Sequence, residues 1–383
     1  MAGLNNKLNL NQLNLKRTNL KLWGLKIFAA VTLMFLMIPI FKWTFFNASW
    51  WSLNSESCHN TITDVKITGA CWPVVWAHAN LLLAGRYPES QIWRPLVAMI
   101  LPLTPILASL LLNSISIKTN TQKNGSKFLQ IGFSTLYFTT LVFLFFSILL
   151  LEGTWLNLNI VPSSDWGGFA LTLLLSTTGI VFALPLALGI ALIRLSTFQI
   201  LNKIFHAFVL FVRGVPLVSL LFIGQYLLPF ALPSGAAIPN ALFRAGIIIC
   251  AFQAASLSEV LRSGFLAIPQ TQWEGAFALG MSRFQSLKFI ILPQVLQLIR
   301  VPLINSFIAL VKDTAIITLI GINDLLGIAR LISTQPKWLG WDLEPLIAAA
   351  ILYGTVVYLL NRISKTLDSS TNNLPQLIPE QMP

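Results

Sequence analysis

Eight long apolar runs, separated by polar segments, dominate this chain. A hydrocarbon core about 30 Å thick needs roughly 20 mostly apolar residues in a helix, and the runs are of about that length. The pattern therefore predicts an all-α polytopic membrane protein with about eight transmembrane helices. The approximate spans are 25 to 41, 93 to 112, 129 to 151, 166 to 193, 202 to 228, 240 to 261, 296 to 320 and 343 to 361.

Composition excludes an ordinary soluble domain, because 55% of the residues are hydrophobic, 10% are charged and the mean hydropathy is +0.74. The formal net charge of +12 does not indicate a nucleic-acid partner. Nucleic-acid binding requires basic residues clustered on one soluble face, whereas here they lie between apolar runs, as in the cytoplasmic loops of membrane proteins. We therefore expect membrane lipid, and no nucleic acid, around this chain.

Loop charges predict the orientation. The segment before the first helix carries basic residues and no acidic one, and so does the loop 113 to 128, whereas the loop 152 to 165 holds Glu152 and Asp165. Because cytoplasmic loops are rich in Lys and Arg, both termini are predicted to be cytoplasmic in a bacterial inner membrane. The start shows no pattern of a cleavable signal, so the first helix is expected to be retained.

Two cysteines, Cys58 and Cys71, fall in the loop 42 to 92, which this orientation places in the oxidising periplasm. Compartment and pairing favour a disulfide over two unpaired thiols. Cys250 lies within an apolar run and is interpreted as a packing residue.

The segment from Ile268 to Pro293 predicts two short helices on the cytoplasmic side. Thr271 with Glu274 has the T-x-x-E spacing of a capping box, and Ser282 with Gln285 has the related S-x-x-Q spacing. Between them, Gly280 suits a left-handed helix end.

One face of the first short helix is apolar, with Trp273, Ala276, Phe277 and Gly280 at i, i+3, i+4 and i+7. Such a face covers either another subunit or its own bundle and the lipid interface, and the pattern alone favours neither.

Catalytic and cofactor motifs are missing from the sequence. Because no G-x-x-x-x-G-K-[ST] segment occurs, the chain is not expected to bind or hydrolyse ATP. His59, His78 and His206 are scattered without metal-ligand spacing. We therefore predict a protein that is not an enzyme on its own and that binds no metal or cofactor.

Four charged residues in or near the apolar runs are candidates for a translocation path or a charge network: Arg213, Glu259, Lys312 and Asp313. Charges within a membrane usually face the bundle interior or a water-filled path. They either bind the ammonium or carboxylate of a substrate or form structural ion pairs, with Arg213 and Glu259 as candidate partners of Lys312 and Asp313. The structural alternative is favoured for Arg213 and is left open for the other three.

The hairpin resembles that of the permeases of binding-protein-dependent ABC importers. Glu274, Ala276, Gly280, Ile290, Leu292 and Pro293 match the pattern E-A-A-x3-G-x9-I-x-L-P, with Gly275 in place of the first alanine. The segments "RGVP", "SEVLRSG", "IPQTQWE" and "KDT" are similar to those of the polar amino-acid permeases, the group of the histidine and glutamine importers. The longer N-terminal region resembles that of long subunits from general amino-acid importers.

The resemblance implies a type I ABC importer permease core of five helices over 166–365 and an N-terminal extension of three helices over 25–165, with cytoplasmic segments at 1–24 and 366–383. In this family a coupling helix, here within 268–285, docks on the ATPase. The residues that inherit this role are Thr271, Trp273, Glu274, Gly275, Ala276, Phe277, Gly280 and Ser282.

The same resemblance implies the partners. They are a homologous permease subunit, two ATPase subunits that bind ATP and Mg, a periplasmic amino-acid-binding protein and an amino-acid substrate, with this chain forming half of the pathway. An ion-gradient-driven secondary amino-acid transporter is the alternative, although no repeat relates the two halves as that class would require. A scaffold without a transport path would avoid buried charges such as Lys312 and Asp313.

Overall fold

The computed structural model describes residues 26–28, 31–50, 69–105, 125–233 and 235–369, together with residues 23, 58 and 108. Within these ranges the chain is helical and forms no strand, which confirms the all-α prediction. The helices are α1 (Lys26–Phe46), α2 (Pro73–Ala77), α3 (Ala79–Ala84), α4 (Trp93–Ile100), α5 (Gly125–Glu152), α6 (Gly168–Arg194), α7 (Gln199–Gly214), α8 (Leu217–Ala231), α9 (Ala241–Leu266), α10 (Gln270–Ala278), α11 (Arg283–Ser286), α12 (Leu292–Leu298), α13 (Arg300–Asp313), α14 (Leu325–Ser333) and α15 (Leu343–Ser369).

Six helices among the described residues are long and apolar enough to cross a membrane. They are α1, α5, α6, α9, α15 and α13 with its continuation to Ile320, and the pair α7 and α8 adds a seventh if it is counted as one span. The second predicted span begins at α4, but half of its remainder lies outside the described residues. A polytopic membrane protein is thus confirmed, and the number eight stays a prediction.

The fifth predicted span, 202 to 228, is divided in the structure into two helices, α7 and α8. The axes of α7 and α8 differ by 104°. Pro216 has no backbone N–H, and its ring disfavours the helical conformation in the preceding residue. Val215 accordingly lies in the extended region, at φ −93° and ψ 134°.

The described residues divide into two compact units, one within 1–77 and 335–344, the other within 78–334 and 345–383. The core of the second unit is built on small residues, with Ala183, Ala187 and Ala191 on α6 packed in one cluster with Ala254 and Ala255 on α9. Small side chains let two membrane helices approach closely. The predicted boundary at residue 165 is not tested by this division and stays a prediction.

A buried arginine fixes the end of α5 within the second unit. Arg94 is 0% exposed and donates to the carbonyl oxygens of Leu150, Leu151 and Asn159 at 2.7, 2.9 and 2.9 Å. The Tyr87 hydroxyl donates to the Leu151 carbonyl at 2.8 Å, and burial, opposed by the nearby Arg94 charge, raises the pKa of Tyr87 to about 12. The last carbonyls of a helix carry partial negative charge, so they are suitable partners for a cation.

A buried carboxylate begins α14. Asp324 is 0% exposed and accepts hydrogen bonds from the Gly327 N–H at 2.9 Å, from the Tyr353 hydroxyl at 2.7 Å and from Thr318. Burial raises the pKa of Asp324, while these hydrogen bonds oppose the shift. Asp324 is therefore an N-cap that also connects three helical segments.

The first unit contains the cysteine pair. Cys58 and Cys71 form a disulfide, with Cα atoms 6.0 Å apart. The Cys71 N–H donates to the Glu344 carboxylate at 2.8 Å, and Glu344 is 1% exposed. The Trp72 indole donates to the Thr44 carbonyl at 3.0 Å. The disulfide thus lies in a packed region, as a structural bridge does.

Candidate coupling hairpin and charge cluster

The predicted hairpin is present as α10 and α11, but its first cap differs from the prediction. Helix α10 begins at Gln270, Pro269 is the N-cap residue, and no side chain caps the helix start. The predicted capping box of Thr271 and Glu274 is therefore wrong. It requires a helix that starts after Thr271, whereas the fixed φ of Pro269 suits an earlier start.

The second half of the hairpin agrees with the prediction. Gly280 has φ +75°, in the left-handed region that favours glycine. The Ser282 hydroxyl accepts from the Gln285 N–H at 3.3 Å, and the Gln285 side chain accepts from the Ser282 N–H at 2.9 Å. This reciprocal pair is the capping box that the S-x-x-Q spacing predicted.

The apolar face of α10 is divided between two environments. Ala276 is 2% exposed, and Trp273 packs against the core of the second unit. In contrast, Phe277, Leu279 and Phe284 are 44%, 79% and 69% exposed. The hairpin therefore packs on its own bundle through one part of this face and presents an apolar surface through the rest, and contact with another subunit stays a prediction.

The remaining predicted coupling residues lie on the open side of the hairpin. Thr271, Glu274 and Gly275 are exposed, and a Cβ at Gly275 would meet no atom within 4 Å. The Gln294 side chain donates to the Gln272 side chain at 3.2 Å, which links α10 to α12. Packing within the chain does not require glycine at 275.

A charge cluster joins the ends of three helices next to the hairpin. Glu259 on α9 accepts from Arg194 at 2.8 Å and from Arg262 at 3.1 Å, and Arg213 lies 3.7 Å away. Arg194 also contacts the His206 ring at 2.9 Å. Of the four predicted path residues, the structure brings Arg213 and Glu259 together in an ion-pair network.

Lys312 and Asp313 are placed apart from this cluster at the end of α13. No ion pair joins either residue to another part of the described chain. The expectation that Arg213 and Glu259 are their partners is therefore wrong, because arginines on α6 and α9 surround Glu259 instead.

Sequence reasoning missed two members of the cluster, Arg194 and Arg262. A signal existed for each, because Arg194 ends an apolar run and Arg262 follows Glu259 by three residues, the spacing of neighbours on a helix. Their convergence on one carboxylate depends on tertiary packing, which this spacing does not encode.

A cavity of about 680 Å³ lies between α5, α6 and α9. Its lining is mostly apolar and includes Ile148, Leu175, Phe182 and Ile247. None of the four predicted path residues lines this cavity.

Comparison with known proteins identifies the family. Residues 179–373 match the model of the binding-protein-dependent transport system inner membrane component. The chain is 31% identical to the inner membrane amino-acid ABC transporter permease protein YhdY of Escherichia coli (strain K12), over 88% of this chain and 86% of that protein. It is also 31% identical to the glutamate/glutamine/aspartate/asparagine transport system permease protein BztC of Rhodobacter capsulatus, over 83% of each chain.

Among solved structures, the crystal structure of an amino acid ABC transporter with histidines is 25% identical and covers 53% of this chain and 92% of that one, with a TM-score of 0.47. A score below 0.5 does not bear on the assignment.

The chain belongs to the family of binding-protein-dependent transport system inner membrane components. It is a multi-pass inner-membrane permease subunit of an ABC importer. Membership in this family implies an ATPase and a binding protein as partners.

Proposed function

We propose that this chain pairs with a homologous permease subunit to form the transmembrane pathway of an amino-acid importer. Two ATPase subunits with bound ATP and Mg supply the energy, and a periplasmic binding protein delivers the substrate. YhdY and BztC, which are permeases for amino acids by name, support this substrate class. Both termini are cytoplasmic in this proposal, which the basic segments before α1 and between α4 and α5 support.

The hairpin is the coupling element in this proposal, and one observation carries that role. Its geometry is stabilised from within the chain by Gly280 and the Ser282 cap, yet Phe277, Leu279 and Phe284 remain exposed. Rigid hairpins with an apolar surface are suited to dock on a partner, because little ordering is required on binding. In this proposal the hairpin docks on the ATPase, as the coupling helices of the family that it resembles do.

Uptake by the reconstituted complex tests the function. Proteoliposomes with this chain, its partner permease and the ATPase are given labelled L-glutamate or L-glutamine, with and without ATP inside and the binding protein outside. We expect uptake only when both are present. Uptake driven by an ion gradient alone would show a secondary transporter instead.

Substitution of the exposed surface tests the hairpin. Phe284→Ser removes an apolar contact while leaving the Ser282 cap, and Phe138→Ser is the matched control because that ring on α5, 64% exposed, lies outside the hairpin. We expect Phe284→Ser to lower ATP-dependent uptake severalfold and to weaken retention of the ATPase, with the permease pair intact. Unchanged uptake and retention would remove the coupling role from this surface.

A further inference from the structure

Two buried side-chain atoms have no hydrogen-bond partner anywhere in the described part of the chain. They are Oε1 of Gln225 and Nε of Arg244. No ion pair involves Arg244 within the same ranges. Buried polar atoms are almost always paired, so an exception calls for a specific explanation.

The two residues lie on two helices, α8 and α9, that pack against each other. Gln225 belongs to the π-helical segment Ile223–Leu227 of α8, and a Cβ on the neighbouring Gly224 would lie 2.6 Å from the Ile248 side chain on α9. Arg244 precedes Ile248 by one helical turn and therefore lies on the same face of α9. Single π-helical turns recur at functional sites.

The position of Arg244 is unfavourable unless something binds it. It lies in the first turn of α9, an apolar helix long enough to cross a membrane. A cation is disfavoured at a helix N-terminus, where the backbone dipole is positive, and a buried guanidinium nitrogen without a hydrogen-bond partner adds a desolvation cost. Neither cost is offset by a contact within the described chain, so the compensating group comes from outside it.

The chemistry of the pair specifies that group. A guanidinium binds a carboxylate through charge-assisted hydrogen bonds, and an amide oxygen accepts from an ammonium group. An α-amino acid carries these two groups on one carbon atom. We infer that Arg244 and Gln225 form a binding site for the backbone of the transported amino acid, with Arg244 on the α-carboxylate and Gln225 on the α-ammonium; this inference rests on the proposed function.

Selectivity follows from this arrangement. Every α-amino acid has the same two groups, so the site accepts substrates irrespective of their side chains. Choice among amino acids then belongs to the binding protein and to other residues along the path.

The test uses the whole complex in proteoliposomes, with ATP inside and the loaded binding protein outside. Arg244→Gln is compared with Arg244→Lys and with Arg330→Gln, an exposed arginine on α14. The probes are labelled L-glutamate and L-glutamine. We expect Arg244→Gln to lower the initial uptake rate at least about tenfold, by the same factor for both probes, since a hydrogen bond to a charged group is lost.

Two further readouts separate binding from structure. The concentration of loaded binding protein at half-maximal rate should be unchanged in Arg244→Gln, because docking outside is unaffected, and Arg244→Lys should recover part of the rate. Gln225→Leu, which removes only the acceptor, should lower uptake severalfold and serves as the second variant if Arg244→Gln fails to fold. Arg330→Gln should transport like the unsubstituted complex.

Several results would overturn the inference. Uptake by Arg244→Gln or Gln225→Leu within twofold of the unsubstituted complex would exclude the site. Loss of the partner permease on purification of Arg244→Gln would assign its partner to a carboxylate of that subunit. Loss of glutamate uptake with normal glutamine uptake would show that Arg244 binds the side-chain carboxylate of the substrate and not its α-carboxylate. No ATP-dependent uptake by the unsubstituted complex would instead overturn the proposed function itself.

Discussion

The two ends of α9 handle charge in opposite ways. Near its last turns, Glu259 contacts Arg194 and Arg262 directly, with Arg213 at 3.7 Å. In its first turn, Arg244 has a buried Nε without a partner among the described residues. One helix therefore carries a paired charge cluster next to the hairpin and, at the other end, an arginine with an unpaired buried nitrogen.

This difference distinguishes charges that stabilise the helix bundle from a charge that binds a partner or a substrate. Charges buried in a folded protein are paired and hydrogen-bonded within the chain, so the cluster around Glu259 and the bonds of Arg94 are interpreted as parts of the bundle. A charge that the described chain does not satisfy is interpreted as a contact for a partner or substrate. Each substitution below tests one side of this distinction.

The largest expected effect is at Arg94. Arg94→Met removes the donor to the carbonyls of Leu150 and Asn159 and one of the two donors to that of Leu151, at a side chain that is 0% exposed. We expect the free energy of unfolding to fall by about 4 kcal/mol, because several charge-assisted hydrogen bonds disappear together. The measurement is the thermal midpoint of the purified complex, with Arg330→Met as the exposed control. A midpoint equal to that of the control would contradict the structural role.

A smaller loss is expected at Glu259. Glu259→Gln leaves the buried Arg194, whose side chain is 4% exposed, without its countercharge. Breaking a fully buried ion pair lowers the free energy of unfolding by about 3 to 5 kcal/mol. Because this cluster is partly open to solvent, we expect a smaller decrease of about 2 kcal/mol. Glu152→Gln, an exposed carboxylate on α5, is the matched control for the same thermal measurement. An equal shift of the thermal midpoint in both variants would show that Glu259 does not stabilise the helix bundle.

The pH dependence of stability tests Asp324. Burial raises its pKa above the ordinary value of 3.8, so the folded state binds a proton that the unfolded state releases. The associated stability is present below about pH 3.8 and is lost as pH rises through the folded pKa. Asn also serves as an N-cap, so Asp324→Asn should flatten this pH dependence of the thermal midpoint while keeping α14. An unchanged slope would assign the titration to another group.

Asp313, like Arg244, is a charged residue without an ion-pair partner among the described residues. It is half-buried and forms no ion pair with another described residue. We expect Asp313→Asn to weaken uptake more than it weakens assembly, since Asn has nearly the same shape and no ion pair among the described residues is lost. Equal loss of uptake and of purified complex would show that Asp313 stabilises the helix bundle instead.

The smallest expected effect is at Arg262. Its side chain is 34% exposed and contacts Glu259 on the same helix, and exposed pairs of this kind contribute about 0.5 kcal/mol. Arg262→Gln should therefore shift the thermal midpoint far less than Glu259→Gln. A similar shift in both variants would show that Arg262, rather than Arg194, is the main partner of Glu259.

Local signals in the sequence predicted much of this fold. Apolar runs located the membrane helices, and the spacing of Ser282 and Gln285 located the second cap, because both depend on neighbouring residues. The missing N–H of Pro216 explains a break in the helix, but the 104° angle between α7 and α8 is set by tertiary packing. The contacts of the arginines with Glu259 could not be predicted from the sequence, and neither could the missing partner of the Arg244 Nε. Both depend on which helices pack together in the folded chain.

The most direct test measures uptake per amount of folded complex for Arg244→Gln and Glu259→Gln side by side. We expect Arg244→Gln to yield normal amounts of folded complex with at least about tenfold lower uptake, whereas Glu259→Gln should yield less folded complex that transports at a near-normal rate. The reverse pattern, or parallel losses in both variants, would contradict the division between satisfied charges that build the bundle and an unsatisfied charge that binds substrate.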